Sequence, residues 1–250
     1  MSQTTVLITG ANRGLGLGVA KRFLALPNHT VIAPVRRPEH ETSKALVNLP
    51  KGEGSSIIVP TATYDATSEE DAFSVVKELV DKHDIKHLDI VLANAGGGLI
   101  YPSVLDVTRK DIADHMELNV YSVVTLYQAT HALLKKSTSG KATFAIMGSS
   151  AGSLARQPPV PNAAYGAAKC TLPWYALRIS SEDEWLNSYV LDPGFVQTEG
   201  GNSAAKTFGM EEAPTTVDES TEGLFNVIST ATKEKFGGKV VLYTGEVQAY

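Results

Sequence analysis

Short β-rich runs and longer stretches of helical periodicity take turns along almost the whole of this chain. Residues 4–9, 30–35, 56–60, 88–93, 142–148, 186–191 and 239–243 are rich in aliphatic, Thr and aromatic side chains and are bounded by Gly, Pro, Asn or Asp. Residues 14–26, 68–82, 109–136, 163–181 and 217–232 carry apolar side chains at helical spacing between them. Strands joined through helices must run parallel, and a parallel sheet needs helices on both faces. The expected fold is therefore α/β: a doubly wound, parallel, seven-stranded sheet in three layers (α/β/α). With 250 residues, 43% of them hydrophobic, and no linker-like stretch, one domain spanning 1–250 accounts for the chain. In the helix over 68–82, Ser68 is the expected cap and Phe73, Val76 and Val80 share a face. Residues 153–162, with three prolines, and 195–214, rich in Gly, Ser and Thr, are expected to be surface loops that contact substrate.

Composition excludes several classes of partner. The net charge is −5 and Lys and Arg form no stripe, so neither nucleic acid nor an anionic membrane surface is an expected partner. The single cysteine, Cys170, allows no internal disulfide and is expected to be a buried small apolar residue. The first apolar stretch, Val6-Leu7-Ile8, is too short for a signal core, and a cytoplasmic protein is expected. His29, His40, His83, His87, His115 and His131 show no ligand spacing, so no metal is assigned.

Ligands of open parallel sheets bind outside the carboxyl ends of the strands. After the first run comes Gly10-Ala11-Asn12-Arg13-Gly14-Leu15-Gly16, which opens the first helix. Gly10 suits a tight turn, Gly14 a close backbone approach to a pyrophosphate, and Gly16 close helix–strand packing, with the helix N-terminus facing the anion. About twenty residues on, where an acid would bond a free ribose hydroxyl, stand Arg36 and Arg37. Guanidinium groups suit a 2′-phosphate instead, and Arg13 can close on the same group. The other reading of these arginines is a solvated surface.

Tyr165-Gly166-Ala167-Ala168-Lys169 sets a phenol and an ammonium on one face of a helix. Moving a tyrosine from about 10 to about 7 needs roughly 4 kcal/mol, which one cation at about 4 Å supplies at an effective dielectric of about 20. A phenol so tuned is a competent acid for a developing alkoxide. No histidine is placed to activate a serine and Gly-x-Ser-x-Gly is absent, which removes a hydrolase reading.

Further groups follow in order: Asn94-Ala95-Gly96 after the fourth run, Asn119 in the longest helix, Ser149 after the fifth run, and Pro193-Gly194-Phe195-Val196-Gln197-Thr198 after the sixth. With the glycine turn and Tyr165/Lys169, they resemble the short-chain dehydrogenase/reductase family over nearly the whole chain. The resemblance implies a Rossmann-type fold, NADP(H) as cofactor, and hydride exchange with a small-molecule ketone or alcohol. It implies that Tyr165 exchanges the proton, that Ser149 hydrogen-bonds the substrate oxygen, that Lys169 binds the nicotinamide ribose and lowers the tyrosine pKa, and that Asn119 anchors a water. Gly152 selects Ser149 by the family's spacing, with the adjacent Ser150 as the alternative. Asn94, Ala95 and Gly96 would border the cofactor, Asp65 would face the adenine or serve as a turn residue, Thr198 and the Val196 backbone would hold the carboxamide, and Pro193 and Gly194 would also contact the cofactor. The two longest helices usually pair between subunits in this family, which implies a homodimer or homotetramer. Trp174, Tyr175 and Leu177 suit such a contact or an ordinary core.

The expected substrate pocket is walled by residues 97–101, 153–162 and 195–208. Its apolar members, Leu99, Ile100, Tyr101, Leu154, Val160 and Phe195, suit a hydrophobic or aromatic ketone. The C-terminal half most resembles fungal ketoreductases of polyketide pathways, although Glu199-Gly200-Gly201 departs from their pattern. A non-redox enzyme of the same fold (epimerase, dehydratase or cyclase) and a catalytically silent NADP-binding regulator remain as alternatives.

Overall fold

The computed structural model describes residues 3–250. Its strands are β1 (Thr4–Ile8), β2 (His29–Ile32), β3 (Ser56–Ile58), β4 (Ile90–Ala93), β5 (Thr143–Met147), β6 (Asn187–Asp192), β7 (Val240–Leu242) and β8 (Val247–Gln248). They form one sheet in the order β3-β2-β1-β4-β5-β6-β7-β8. Every neighbouring pair is parallel except β7 and β8. The sheet has eight strands where seven were expected: β8 is a two-residue strand whose only support is its pairing with β7.

The helices are α1 (Gly14–Ala25), α2 (Glu41–Lys44), α3 (Asp71–His83), α4 (Arg109–Met116), α5 (Ser122–Leu134), α6 (Tyr165–Glu182), α7 (Glu199–Thr207), α8 (Val217–Ser229) and α9 (Lys233–Phe236). Strand alternation divides the core into two layers. Leu7, Val91, Phe144 and Ile146 pack with Val75 and Leu79 of α3, Leu126 and Leu133 of α5, and Leu172 and Ile179 of α6. Val6, Ile8, Ala145 and Leu191 face the other way, against Val19 and Phe23 of α1 and Leu224 and Val227 of α8. Trp174 and Leu177 are exposed, whereas Tyr175 packs against the core, and Cys170 is only partly buried. No described helix is long and apolar enough to cross a membrane.

Three local departures have physical causes. The helical stretch over 109–136 is interrupted by a π turn, Glu117–Tyr121, which carries Asn119. The segment over 195–214 contains α7, capped by the Thr198 hydroxyl, which accepts from Gly201 N–H at 3.0 Å. Finally, α3 starts at Asp71, with the Ser68 hydroxyl donating to the Asp71 carboxylate at 2.6 Å, and its buried face is Ala72, Val75, Glu78 and Leu79, leaving Phe73 and Val80 exposed.

Glu78 explains that rotation. Its buried carboxylate accepts from Thr61 N–H (2.9 Å), the Thr61 hydroxyl (2.9 Å) and Ala62 N–H (2.7 Å), fixing the connection from β3 to α3. Burial works to raise its pKa, and these bonds overcome it, leaving the carboxyl at about 2. A folded-state pKa below the unfolded one contributes stability that is fully present above about 4.5 and lost as pH falls toward about 2. Glu78→Gln is expected to cost about 2 kcal/mol at pH 7, and denaturant titrations should show the deficit shrinking below pH 4.5.

Candidate active site

The chain runs outward from β1 through β2 to β3, then returns to place β4 beside β1, so a crevice opens where these two strands end. Side chains staple that crevice. The Thr9 hydroxyl accepts from Asn94 N–H (3.0 Å) and Ala95 N–H (2.9 Å), and Asn94 Nδ2 donates to the Thr9 carbonyl at 2.8 Å. A Cβ on Gly16 would lie 2.5 Å from the Gly10 carbonyl oxygen and 2.6 Å from Asn94 Nδ2, so the helix reaches this position only as glycine. No side chain caps α1, which leaves its first N–H groups for an anion.

Arg36 and Arg37 stand exposed beyond the end of β2, and neither guanidinium has a protein partner among the described residues. Arg36 helps to lower the Asp65 carboxyl, after the larger effect of the Thr67 N–H bond at 3.0 Å. Asp65 thus closes a turn onto Thr67 while lying near the arginine. Asn12 and Arg13 have protein partners. Asn12 Nδ2 donates to Thr42 Oγ1 at 2.9 Å, and Arg13 pairs with Glu199, the first residue of α7, at 2.5 Å. The free cationic surface here is therefore Arg36 and Arg37.

On the other side of the crevice, α6 carries Tyr165 and Lys169, and Lys169 reaches the end of β5 and the turn after β4. Lys169 is buried and its ammonium donates to the Met147 carbonyl at 2.8 Å. Burial lowers its pKa to about 8. The Tyr165 phenol is pushed well above its ordinary value by burial, with the Ser149 hydroxyl working in the opposite direction and Tyr101 and Asp192 adding to the rise. The Lys169 ammonium is turned to the Met147 carbonyl, and its Nζ lies 5.7 Å from the tyrosine ring centre. Of the two adjacent serines, Ser149 is the one whose hydroxyl acts on the phenol. Nearby, Asp192 is a buried carboxylate raised by desolvation that accepts from Gly194 N–H at 3.0 Å, with the Ser150 N–H also acting to lower it.

Asn119 is tied to the turn after β4 through its side chain. Its Oδ1 accepts from Gly97 N–H at 2.9 Å, and its Nδ2 donates to the carbonyls of Gly97 (3.0 Å) and His115 (3.1 Å). The side chain thereby holds the 96–97 turn over Lys169, where a Cβ on Gly96 would lie 3.7 Å from Nζ.

Of the segment after β6, Thr198 lies beside the glycine turn, its methyl 3.4 Å from where a Gly14 Cβ would be. Val196 is held by a parallel bridge to Thr215, and the Pro193 carbonyl accepts from the Ser220 hydroxyl at 2.8 Å. A cavity of about 280 Å³ opens between residues 98–101 and the Gly200, Ser203 and Thr207 face of α7. Loop 153–162 does not line it. In that loop Ala155 N–H bonds the Tyr250 carbonyl, and Asn162 bonds Gly166 and Ala151.

Two residues that sequence reasoning left unassigned belong here. Thr9 is the staple described above. His115 is fully buried with Nε2 accepting from Leu99 N–H at 3.0 Å. Its position one helical turn before Asn119 was a usable signal.

The profile of the short chain dehydrogenase family matches residues 4–209. The chain belongs to this family. Among its relatives, this short-chain dehydrogenase is 41% identical to a norsolorinic acid ketoreductase of Dothistroma septosporum, over 96% of this chain and 90% of that one. It is 35% identical to the norsolorinic acid ketoreductase of Aspergillus parasiticus, over 97% and 89%. The NADPH-bound carbonyl reductase from chicken fatty liver superposes over the whole of both chains with a TM-score of 0.86 at 25% identity. The short-chain dehydrogenase described here is thus an oxidoreductase acting on CH–OH/C=O groups.

Burying Lys169 has a measurable cost. Its folded-state pKa of about 8 lies below the ordinary 10.5, so the unfolded chain holds more protons between these values and stability rises with pH across that window. Below pH 8 the full cost is present. Lys169→Met is therefore expected to be about 1–3 kcal/mol more stable than the parent at pH 7, with the gap closing toward pH 10; a less stable variant in thermal melts at pH 7 would contradict this.

Proposed function

We propose that this short-chain dehydrogenase is an NADPH-dependent ketoreductase of hydrophobic or aromatic, including polyketide-derived, ketones, working in a cytoplasmic setting. The observation that carries the reading is the convergence of Ser149, Tyr165 and Lys169 on one side of a crevice whose other side is a glycine turn flanked by unpaired arginines. The residues fit the cofactor: the uncapped start of α1 suits a pyrophosphate, Arg36 and Arg37 a 2′-phosphate, and Lys169 beside Gly96 a ribose. Gly10, Asn12, Gly14, Leu15 and Gly16 would border the phosphates, with Arg13 joining them if it exchanges its Glu199 partner. Asp65, Asn94 and Ala95 would flank the adenosine side, and Pro193, Gly194, Val196 and Thr198 the nicotinamide end. Bound there, NADPH supplies the hydride.

The protein's own groups do the rest. Burial keeps the Tyr165 phenol protonated at neutral pH, which is the form that donates a proton to a carbonyl oxygen as it gains charge. Ser149 hydrogen-bonds the same oxygen and lowers the cost of that charge. Lys169 stabilises the phenolate left behind, and Asn119 positions the turn above it. The apolar rim of Leu99, Ile100 and Tyr101 supports an aromatic or hydrophobic substrate. Self-association through the exposed α6 face bearing Trp174 and Leu177 belongs to the same proposal.

Steady-state assays test this reading. Tyr165→Phe should lower kcat by about 10²–10⁴-fold while the NADPH dissociation constant stays within about twofold, and substantial residual turnover would remove Tyr165 as the acid. Arg36→Asp should shift the NADPH/NADH preference by about tenfold or more toward NADH. An unchanged ratio would take that arginine out of the phosphate site.

A further inference from the structure

The loop between β4 and α4 is pinned at three places. Gly97 is held through both its N–H and its carbonyl by Asn119, and the Pro102 carbonyl accepts from Ala163 N–H at 3.0 Å. Between them, His115 Nε2 accepts from Leu99 N–H at 3.0 Å. His115 Nδ1 lies 2.7 Å from the Asp111 carbonyl, which can only accept, so the ring proton sits on Nδ1 and Nε2 is free to receive the loop.

What this pinned loop delivers is the ring of Tyr101. It stands edge-on to the Tyr165 ring, 6.1 Å between centres at 81°, and edge-on to Phe208 just beyond α7, 5.1 Å at 69°. It also lines the 280 Å³ cavity, so the same ring adjoins both the phenol of Tyr165 and the space beside it. Room for the ring comes from Gly98. A Cβ there would lie 2.2 Å from the Tyr101 hydroxyl oxygen and 2.7 Å from Cζ, and Gly98 has no left-handed backbone that would itself demand glycine. The glycine is needed for space alone.

A ketone whose carbonyl reaches the Tyr165 hydroxyl therefore lies alongside Tyr101. A flat aromatic group in that place gains a stacking contact in addition to burial, whereas a saturated ring gains burial only. The cavity is at the lower edge of ligand-pocket sizes, about 300–1,000 Å³, which favours thin, planar groups over bulky saturated ones. We propose that Tyr101 is the residue that selects substrate in this protein, favouring ketones conjugated to a flat aromatic ring, and that Gly98 lets it do so by leaving space for its hydroxyl end. The inference rests on the ketoreductase reading above and adds the residues that set its preference.

The test compares 2-acetylnaphthalene with its fully saturated decalin analogue, using the full chain and the variants Tyr101→Leu, Tyr101→Phe and Gly98→Ala. The NADPH dissociation constant, read by fluorescence, serves as the control for an intact fold. Tyr101→Leu should lower kcat/KM for the aromatic ketone about tenfold, the scale of one aromatic contact, mainly through KM, and leave the saturated ketone within about twofold. Tyr101→Phe should retain the preference. Gly98→Ala should lose it with the tyrosine still present, and all three should bind NADPH like the parent. Equal losses for both ketones in Tyr101→Leu, or an unchanged preference in Gly98→Ala, would overturn the inference and leave the reductase reading standing. A parent protein that binds NADPH and reduces neither ketone would overturn both.

Discussion

Parallel strands all end on the same edge of their sheet, and the site depends on that constraint. Gly10 follows β1, Arg36 follows β2, Asn94 follows β4, Ser149 follows β5 and Pro193 follows β6, residues far apart in sequence that the topology brings to one edge. Reversal of strand order between β3 and β4 then opens a crevice there, and Thr9 and Asn94 keep its two walls in register through three hydrogen bonds. Gly16 completes the arrangement by letting α1 approach the β1 turn more closely than any other residue would allow.

Within the crevice, burial sets the protonation chemistry. The same desolvation that pushes the Tyr165 phenol upward pulls the Lys169 ammonium down, toward neutral forms of both. A protonated phenol is the state a proton donor must occupy before reaction. In the proposed mechanism the lysine, which works against the stability of the fold, would have its use after the proton has left, when a phenolate would lie near its charge. Helix α6 can carry both groups because they are one turn apart, and the carbonyl of Met147 gives the ammonium a partner until then.

Local patterns made much of this legible in the sequence. The glycine turn, the Tyr165/Lys169 pair and the strand–helix alternation are short-range signals, and the fold class, helix order and family followed from them. Features that depend on distant partners were not legible. Arg13 pairs with Glu199, 186 residues further on. The rotation of α3 follows from Glu78 bonding backbone across the β3–α3 connection, which periodicity alone does not encode. Strand β8 exists only by pairing, and α7 forms in a glycine-rich stretch because Thr198 caps it and Gly201 packs against the Val196 carbonyl. The π turn hides inside a continuous helical pattern because one extra residue barely alters its spacing.

In the proposed reaction this crevice carries hydride from NADPH to a ketone carbon while the protein supplies the proton. The direct measurement uses NADPH deuterated at C4 of the nicotinamide, each epimer in turn, with an aromatic ketone, and reads the label in the alcohol by mass spectrometry and NMR. The account predicts deuterium at the carbinol carbon from one epimer only, with the hydroxyl hydrogen drawn from solvent. An alcohol with an unlabelled carbinol carbon from both epimers, or NADPH consumed without alcohol formed, would contradict it.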